Sequence, residues 1–182
     1  IIGTIIGAFF AIRVEMTQMP QMVAIFNGFG GIASALIAAA EFLNPGDMLS
    51  TFSLATISLS VFVGTLTFTG SFIAFGKLQG FISGQPIVFP GQQFLNALIG
   101  ISILGLAVYI STAPAQINIF YILISLSALI GIALTIPIGG ADMPVVISLL
   151  NSYSGIAASS TGFVLNNNAL IIIVTPDKKF WF

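Results

Sequence analysis

Residues 138 to 167, IGGADMPVVISLLNSYSGIAASSTGFVLNN, constrain this chain more than any other stretch. A glycine pair and a carboxylate lead into one apolar run. At about 1.5 Å per residue, a helix of this length crosses a hydrocarbon core about 30 Å thick. The run carries Ser148, Asn151, Ser152, Ser154, Ser159 and Ser160, groups that a lipid-facing helix avoids. Asp142 followed by Pro144 reads as a helix start, the carboxylate capping free N–H groups and the proline sitting in the first turn. Positions 148, 151, 155, 159 and 162 recur at three- and four-residue steps and so share a helical face. Val146, Leu149, Leu150, Ile156 and Phe163 take the opposite face. The pattern predicts a transmembrane helix with a small, polar seam.

Composition agrees. The chain is 57% hydrophobic and 5% charged, with a mean hydropathy of +1.13. A soluble domain carries about 25% charged residues, so this one lacks the groups to cover itself in water. A net charge of −1 offers no basic field for nucleic acid. Cysteine and histidine are both absent, which excludes disulfides, thiolate or imidazole metal ligands and histidine-based triads within the chain. Ile1 with no basic region before its apolar run gives no sign of a cleavable signal, and the expectation is a chain that begins inside a longer protein.

The expected fold is an all-α polytopic transmembrane helix bundle. Its domain covers residues 1–175: a partial first helix, five full spans and the start of a last helix. Residues 1–12 end a helix stopped by Arg13 and Glu15. Thr17 caps a second helix over about Pro20 to Leu43, on which Asn27, Gly31, Ser34 and Ala38 share a face. Small residues there allow a neighbouring backbone to come close. Asn44-Pro45-Gly46-Asp47 is a turn. The third span, about Leu49 to Phe75, carries a second stripe of Thr56, Ser60, Gly64, Thr67 and Ser71. A loop at 76–93 leads to apolar spans over about 94–110 and 117–138, separated by a turn at Pro114. Asn166-Asn167-Asn168 breaks the sixth helix. Residues 176–182 form a polar and aromatic tail, either native at a headgroup boundary or truncated. Counting crossings puts Arg13, Lys77 and Asp142 on one side, and the positive charges predict that this side is cytoplasmic.

Three of these helices carry polar stripes. Serine and threonine can serve packing alone, by bonding back to their own helix. Asparagine is different, because a buried amide without partners costs a few kcal/mol. Asn27 and Asn151 on separate helices therefore suggest a hydrated or hydrogen-bonded path. Asparagine cannot titrate, and no ionisable residue falls near a span centre. Gly28-Phe29-Gly30-Gly31 follows no strand and lacks the spacing of a dinucleotide fingerprint.

Specific words in the sequence carry a resemblance. Glu15-Met16-Thr17-Gln18-Met19-Pro20, Thr67-Phe68-Thr69-Gly70-Ser71, Ala74-Phe75-Gly76-Lys77-Leu78 and above all GGADMPVVISLLNSYSG (Gly139 to Gly155) occur in order and at compatible spacings. Over residues 1 to 174 the chain resembles the membrane domain of the beta subunit of proton-translocating NAD(P)⁺ transhydrogenases. That family couples hydride transfer between NAD(H) and NADP(H) to proton movement across the membrane, with the hydride chemistry in separate nucleotide domains.

The resemblance implies roles by position. Asn151, Asn27, Ser71 and Asn167 would belong to the proton pathway. Asp142, with Gly139 and Gly140 as a flexible lead-in, would communicate with an NADP(H)-binding domain. It implies no catalytic, cofactor or metal site in this segment. The implied partners are that NADP(H) domain, an alpha-type subunit and the lipid bilayer of a bacterial cytoplasmic membrane, within a dimer of full assemblies. Two departures stand out. Asn27 occupies the place where some members carry a membrane histidine, so a partner would supply the titratable group. After Val174 the family's last helix does not continue through small residues. The alternative function is a non-enzymatic permease or scaffold whose stripes only pack helices.

Overall fold

The computed structural model describes residues 1–45, 49–112 and 116–174. Among these the chain forms seven α-helices: α1 (Ile2–Arg13), α2 (Met19–Leu43), α3 (Thr51–Leu78), α4 (Gln92–Thr112), α5 (Ile117–Thr135), α6 (Met143–Val164) and α7 (Asn168–Val174). Asp47, Pro114 and the tail 176–182 lie outside the described residues.

Among the described residues, four segments are long and apolar enough to cross a membrane: Met16–Leu43, α3, α4 and α5. The fold is an all-α helical bundle of an integral membrane protein. With 22 residues α6 matches these helices in length, but Asn151 and its serines leave it less apolar than the four. The single run expected over 138–167 is a 3₁₀ turn (Gly140–Asp142), the helix, and a turn at Asn166, whose φ is 50°.

Helix α3 is the axis of the bundle, packing against α2, α4, α5 and α6. Small residues make this possible. A Cβ on Gly31 would lie 2.7 Å from the Gly64 carbonyl oxygen, and one on Gly64 would lie 2.5 Å from that of Gly31. Only glycine at both positions lets α2 and α3 touch backbone to backbone. On the other side, a Cβ on Gly131 of α5 would meet the Leu66 carbonyl oxygen at 2.5 Å. An apolar core including Ile57, Val61, Leu66, Ile103, Leu123 and Leu150 fills the remaining space.

The outer surface suits lipid. On α4 only Gln92, Ile103 and Ile110 are buried, while Leu98, Leu104 and Val108 are exposed and Ile101 is 69% exposed. Contiguous apolar surface of this kind is costly in water and neutral among acyl chains.

The two ends of the bundle differ. At one, Gln21 Nε2 donates to the Leu78 carbonyl, and the backbone N–H of Gly140 donates to Gly84 O. Arg13, Lys77 and Asp142 all fall at this end. At the other, Phe42 stacks on Phe120 with ring centroids 4.0 Å apart, and Phe52 meets Phe163 edge-on. Glu41 and the three asparagines lie there.

Helix boundaries bring two corrections. Thr17 does not cap α2: it lies within a 3₁₀ turn (Met16–Gln18), and Gln18 precedes the helix without a side-chain cap. Asp142 likewise makes no side-chain capping bond to α6, because it belongs to a 3₁₀ turn with a near-helical backbone (φ −92°, ψ −1°). A capping side chain works from an extended backbone. Ser50 has that geometry (φ −70°, ψ 159°) and does accept from the Ser53 N–H.

Candidate functional site

Along one face of α3 run Ser60, Gly64, Thr67 and Ser71, all buried, as the periodicity predicts. Facing them on α2 are Asn27, Gly31 and Ser34, also buried. The third wall is α6. Because α2 and α6 both run antiparallel to α3, residues that rise along them meet residues that descend along α3.

The first layer joins all three helices. Asn27 Nδ2 donates to Ser71 Oγ at 2.9 Å, and Ser154 Oγ lies 2.7 Å from Asn27 Oδ1 as a donor. Both ends of the amide are thus engaged, which removes most of the cost of burying it. Ser154 Oγ also lies 2.8 Å from the Asn151 carbonyl oxygen. A hydroxyl has one proton to give, so these two acceptors compete for it.

A second layer sits seven residues further along α2. Ser60 Oγ and Thr161 Oγ1 are 2.7 Å apart. Each also reaches the carbonyls of Ala157 and Ser34, at 3.1 and 3.4 Å from Ser60 and 3.0 and 3.3 Å from Thr161. These groups are neutral, so the layers can order and relay hydrogen bonds without holding a charge.

A third cluster closes the end that holds Asp142. Lys77 is 4% exposed, and its Nζ donates to Ile136 O at 2.5 Å, Ile138 O at 2.7 Å and Gln85 O at 3.4 Å. The ammonium therefore ties the end of α5 to the 79–91 loop, where its charge also meets the negative end of the α5 dipole. Gly140 packs on that loop, a Cβ there lying 3.4 Å from Gly84 Cα. Gly139, Gly140 and Asp142 form the turn that leads from this clasp into α6, with Asp142 exposed at its tip.

The expected seam on α6 is displaced. The face turned toward α2 and α3 holds Val146, Ile147, Leu150, Ala157, Ser160 and Thr161. Ser148 and Asn151 are exposed, Gly155 and Ser159 are only partly covered, and Gly162 is buried, packed against Ile171 of α7. The periodicity was sound, but the hydrophobic Val146 and Leu150 win the interior and turn the small, polar stripe about a third of a turn outward. Asn151 therefore meets the cluster through its backbone carbonyl and Ser154. Asn167 is exposed, and its Oδ1 accepts from the Leu170 N–H at 3.2 Å, capping α7.

The structure brings together Asn27 and Ser71, and separately Asp142, Gly139 and Gly140. It leaves Asn151 on a flank and Asn167 at the far end. Sequence periodicity missed Ser154, Thr161 and the Lys77 clasp. Ser154 and Thr161 stand seven residues apart, on the face that Leu150 and Ala157 mark as inward. A lysine at the very end of a long apolar helix was the visible sign of the clasp.

Residues 1–175 match the family model for the NAD(P) transhydrogenase beta subunit. Two proteins named NAD(P) transhydrogenase subunit beta, both from Rhodospirillum rubrum, are each 47% identical to it over 178 residues, covering 94% of this chain. The chain spans 38% of the length of either relative. This chain belongs to the NAD(P) transhydrogenase beta-subunit family.

Proposed function

We propose that this chain is the proton-translocating membrane part of an NAD(P)⁺ transhydrogenase. It would couple proton passage to hydride transfer between NAD(H) and NADP(H) in nucleotide-binding domains elsewhere in the assembly. The observation that carries the proposal is the pair of hydrogen-bonded layers in which polar groups of α2, α3 and α6 bond across from helix to helix. Asn27, Ser71 and Ser154 orient water, and Asn151 borders them from the flank of α6. That flank, with Ser148, Gly155 and Ser159, suits a helix of an alpha-type subunit, which would bring the titratable group that Asn27 is not. Asn167 borders the opposite mouth. The α6 crossing completes five full spans.

Coupling follows from linkage. An NADP(H)-binding domain docked near Asp142 drives protons only if it binds differently to the two access states of the path. The Lys77 clasp supports this role, because it holds the Gly139-Gly140 turn against a loop that a docked domain can reach. This end faces the cytoplasm of a bacterial inner membrane, within a dimer of full assemblies.

The test uses the full-length protein with its partners in sealed vesicles, recording NADPH-dependent reduction of an NAD⁺ analogue together with lumenal pH. Hydride transfer with a matching pH change is expected, and Asn151→Leu should abolish the pH change while the protein stays folded in the membrane. Normal pumping by that variant would remove Asn151 from the pathway. Absence of both signals in an intact wild-type preparation would favour a scaffold role.

A further inference from the structure

Between the two hydrogen-bonded layers lies Thr67. It is fully buried, and its Oγ1 has no hydrogen-bond partner among the described residues. A helical threonine commonly bonds back to the preceding turn, as Thr69 does to the Thr65 and Leu66 carbonyls. Thr67 forgoes that bond in a site that offers no other, and a buried hydroxyl left this way is costly.

Its position gives the cost a use. Thr67 shares the α3 face with Ser71, four residues on, and with Ser60, seven residues back. At about 1.5 Å per residue it stands roughly 6 Å from the first layer and roughly 10 Å from the second. Across from it is Gly31, whose Cβ would lie 3.0 Å from Thr67 Cβ and Cγ2. Here α2 and α3 are in backbone contact at Gly31 and Gly64, the tightest point between the layers. Ser58, also buried without a partner, lies about half a turn round α3 and off this face.

We propose that Thr67 is the closed point of the proton pathway and a positioning residue within it, its hydroxyl anchoring the file of waters that joins the two layers when α2 and α3 part. This rests on the proton-pathway reading above. In each passage the Thr67 oxygen receives one proton from the water on one side and releases one to the other, so the hydroxyl is regenerated and no charge stays on it. In the closed state the unpaired hydroxyl lowers the barrier to admitting that water, because hydration satisfies it.

The test separates this role from packing, because the two give opposite results in one variant. In the vesicle assay with the full assembly, Thr67→Val keeps the shape and removes the unpaired hydroxyl. The unfolding temperature is expected to stay level or rise, while the initial lumenal pH change slows by about tenfold or more, the size for one hydrogen bond lost at a barrier. Thr67→Ser is expected to restore most of the rate. Wild-type pumping with an equal rate in Thr67→Val overturns this inference alone. Hydride transfer without any wild-type pH change overturns the pathway reading and this inference with it. Should Thr67→Val lower the unfolding temperature, Thr67→Ser and Thr67→Ala decide: pumping by serine and not alanine supports the role, and equal rates overturn it.

Discussion

The two sides of α3 use the same residue types to different ends. Toward α4 and α5, hydroxyls mostly return to their own helix: Ser127 to Leu123 O, Thr135 to Gly131 O, Ser111 to Ala107 O. Toward α2 and α6 they cross between helices, as Ser60 does to Thr161 and Asn27 to Ser71. Glycine-mediated backbone contact occurs on both sides, at Gly31–Gly64 and at Gly131–Leu66, so close packing alone does not distinguish them. What differs is that one side has polar groups facing polar groups at matching heights. A serine stripe becomes a network only when a second stripe opposes it.

The strongest way to break the comparison is to separate α2 from α3. Gly64→Val places a side chain where a Cβ would already lie 2.5 Å from a carbonyl oxygen, and should cost about 3 kcal/mol or more. Denaturant unfolding in micelles measures this, and a loss under about 1 kcal/mol would mean the contact is loose. Lys77→Met should cost about 2–3 kcal/mol, since it strips a charged donor from three backbone carbonyls, with Lys77→Arg losing less. Equal stability of all three proteins would show the clasp to be idle. At the small end, Ser127→Ala on the α5 side should change stability by no more than about 0.5 kcal/mol and leave pumping intact. A larger effect would place a network on that side too.

Much of this was legible from sequence. The stripes on α2 and α3 follow from period, because Asn27, Gly31 and Ser34 and then Ser60, Gly64, Thr67 and Ser71 recur at helical spacing, although on α3 Ser58 and Thr65 are also buried off that face. On α6 two stripes compete, and period cannot say which faces in. Val146 and Leu150 take the interior, and Asn151 goes to the flank. Nor can period supply pairings between helices: Ser154 lies 127 residues from Asn27 and Thr161 lies 101 from Ser60. Lys77 read as a loop charge because Gly76 looked like a helix end, yet α3 continues through Leu78. Two asparagines inside separate spans already suggest a hydrogen-bonded path, and the resemblance adds their place in a proton pathway; Asn27 lies in a network of that kind, with Asn151 on its flank.

Asn27 is where the account is most exposed, since it alone contacts both α3 and α6 in the first layer. Asn27→Leu in the full assembly, reconstituted in sealed vesicles and supplied with NADPH and an NAD⁺ analogue, should leave the protein folded and NADPH bound while the lumenal pH stays flat. A pH change at the wild-type rate in that variant would contradict the claim that α2, α3 and α6 enclose the proton's route.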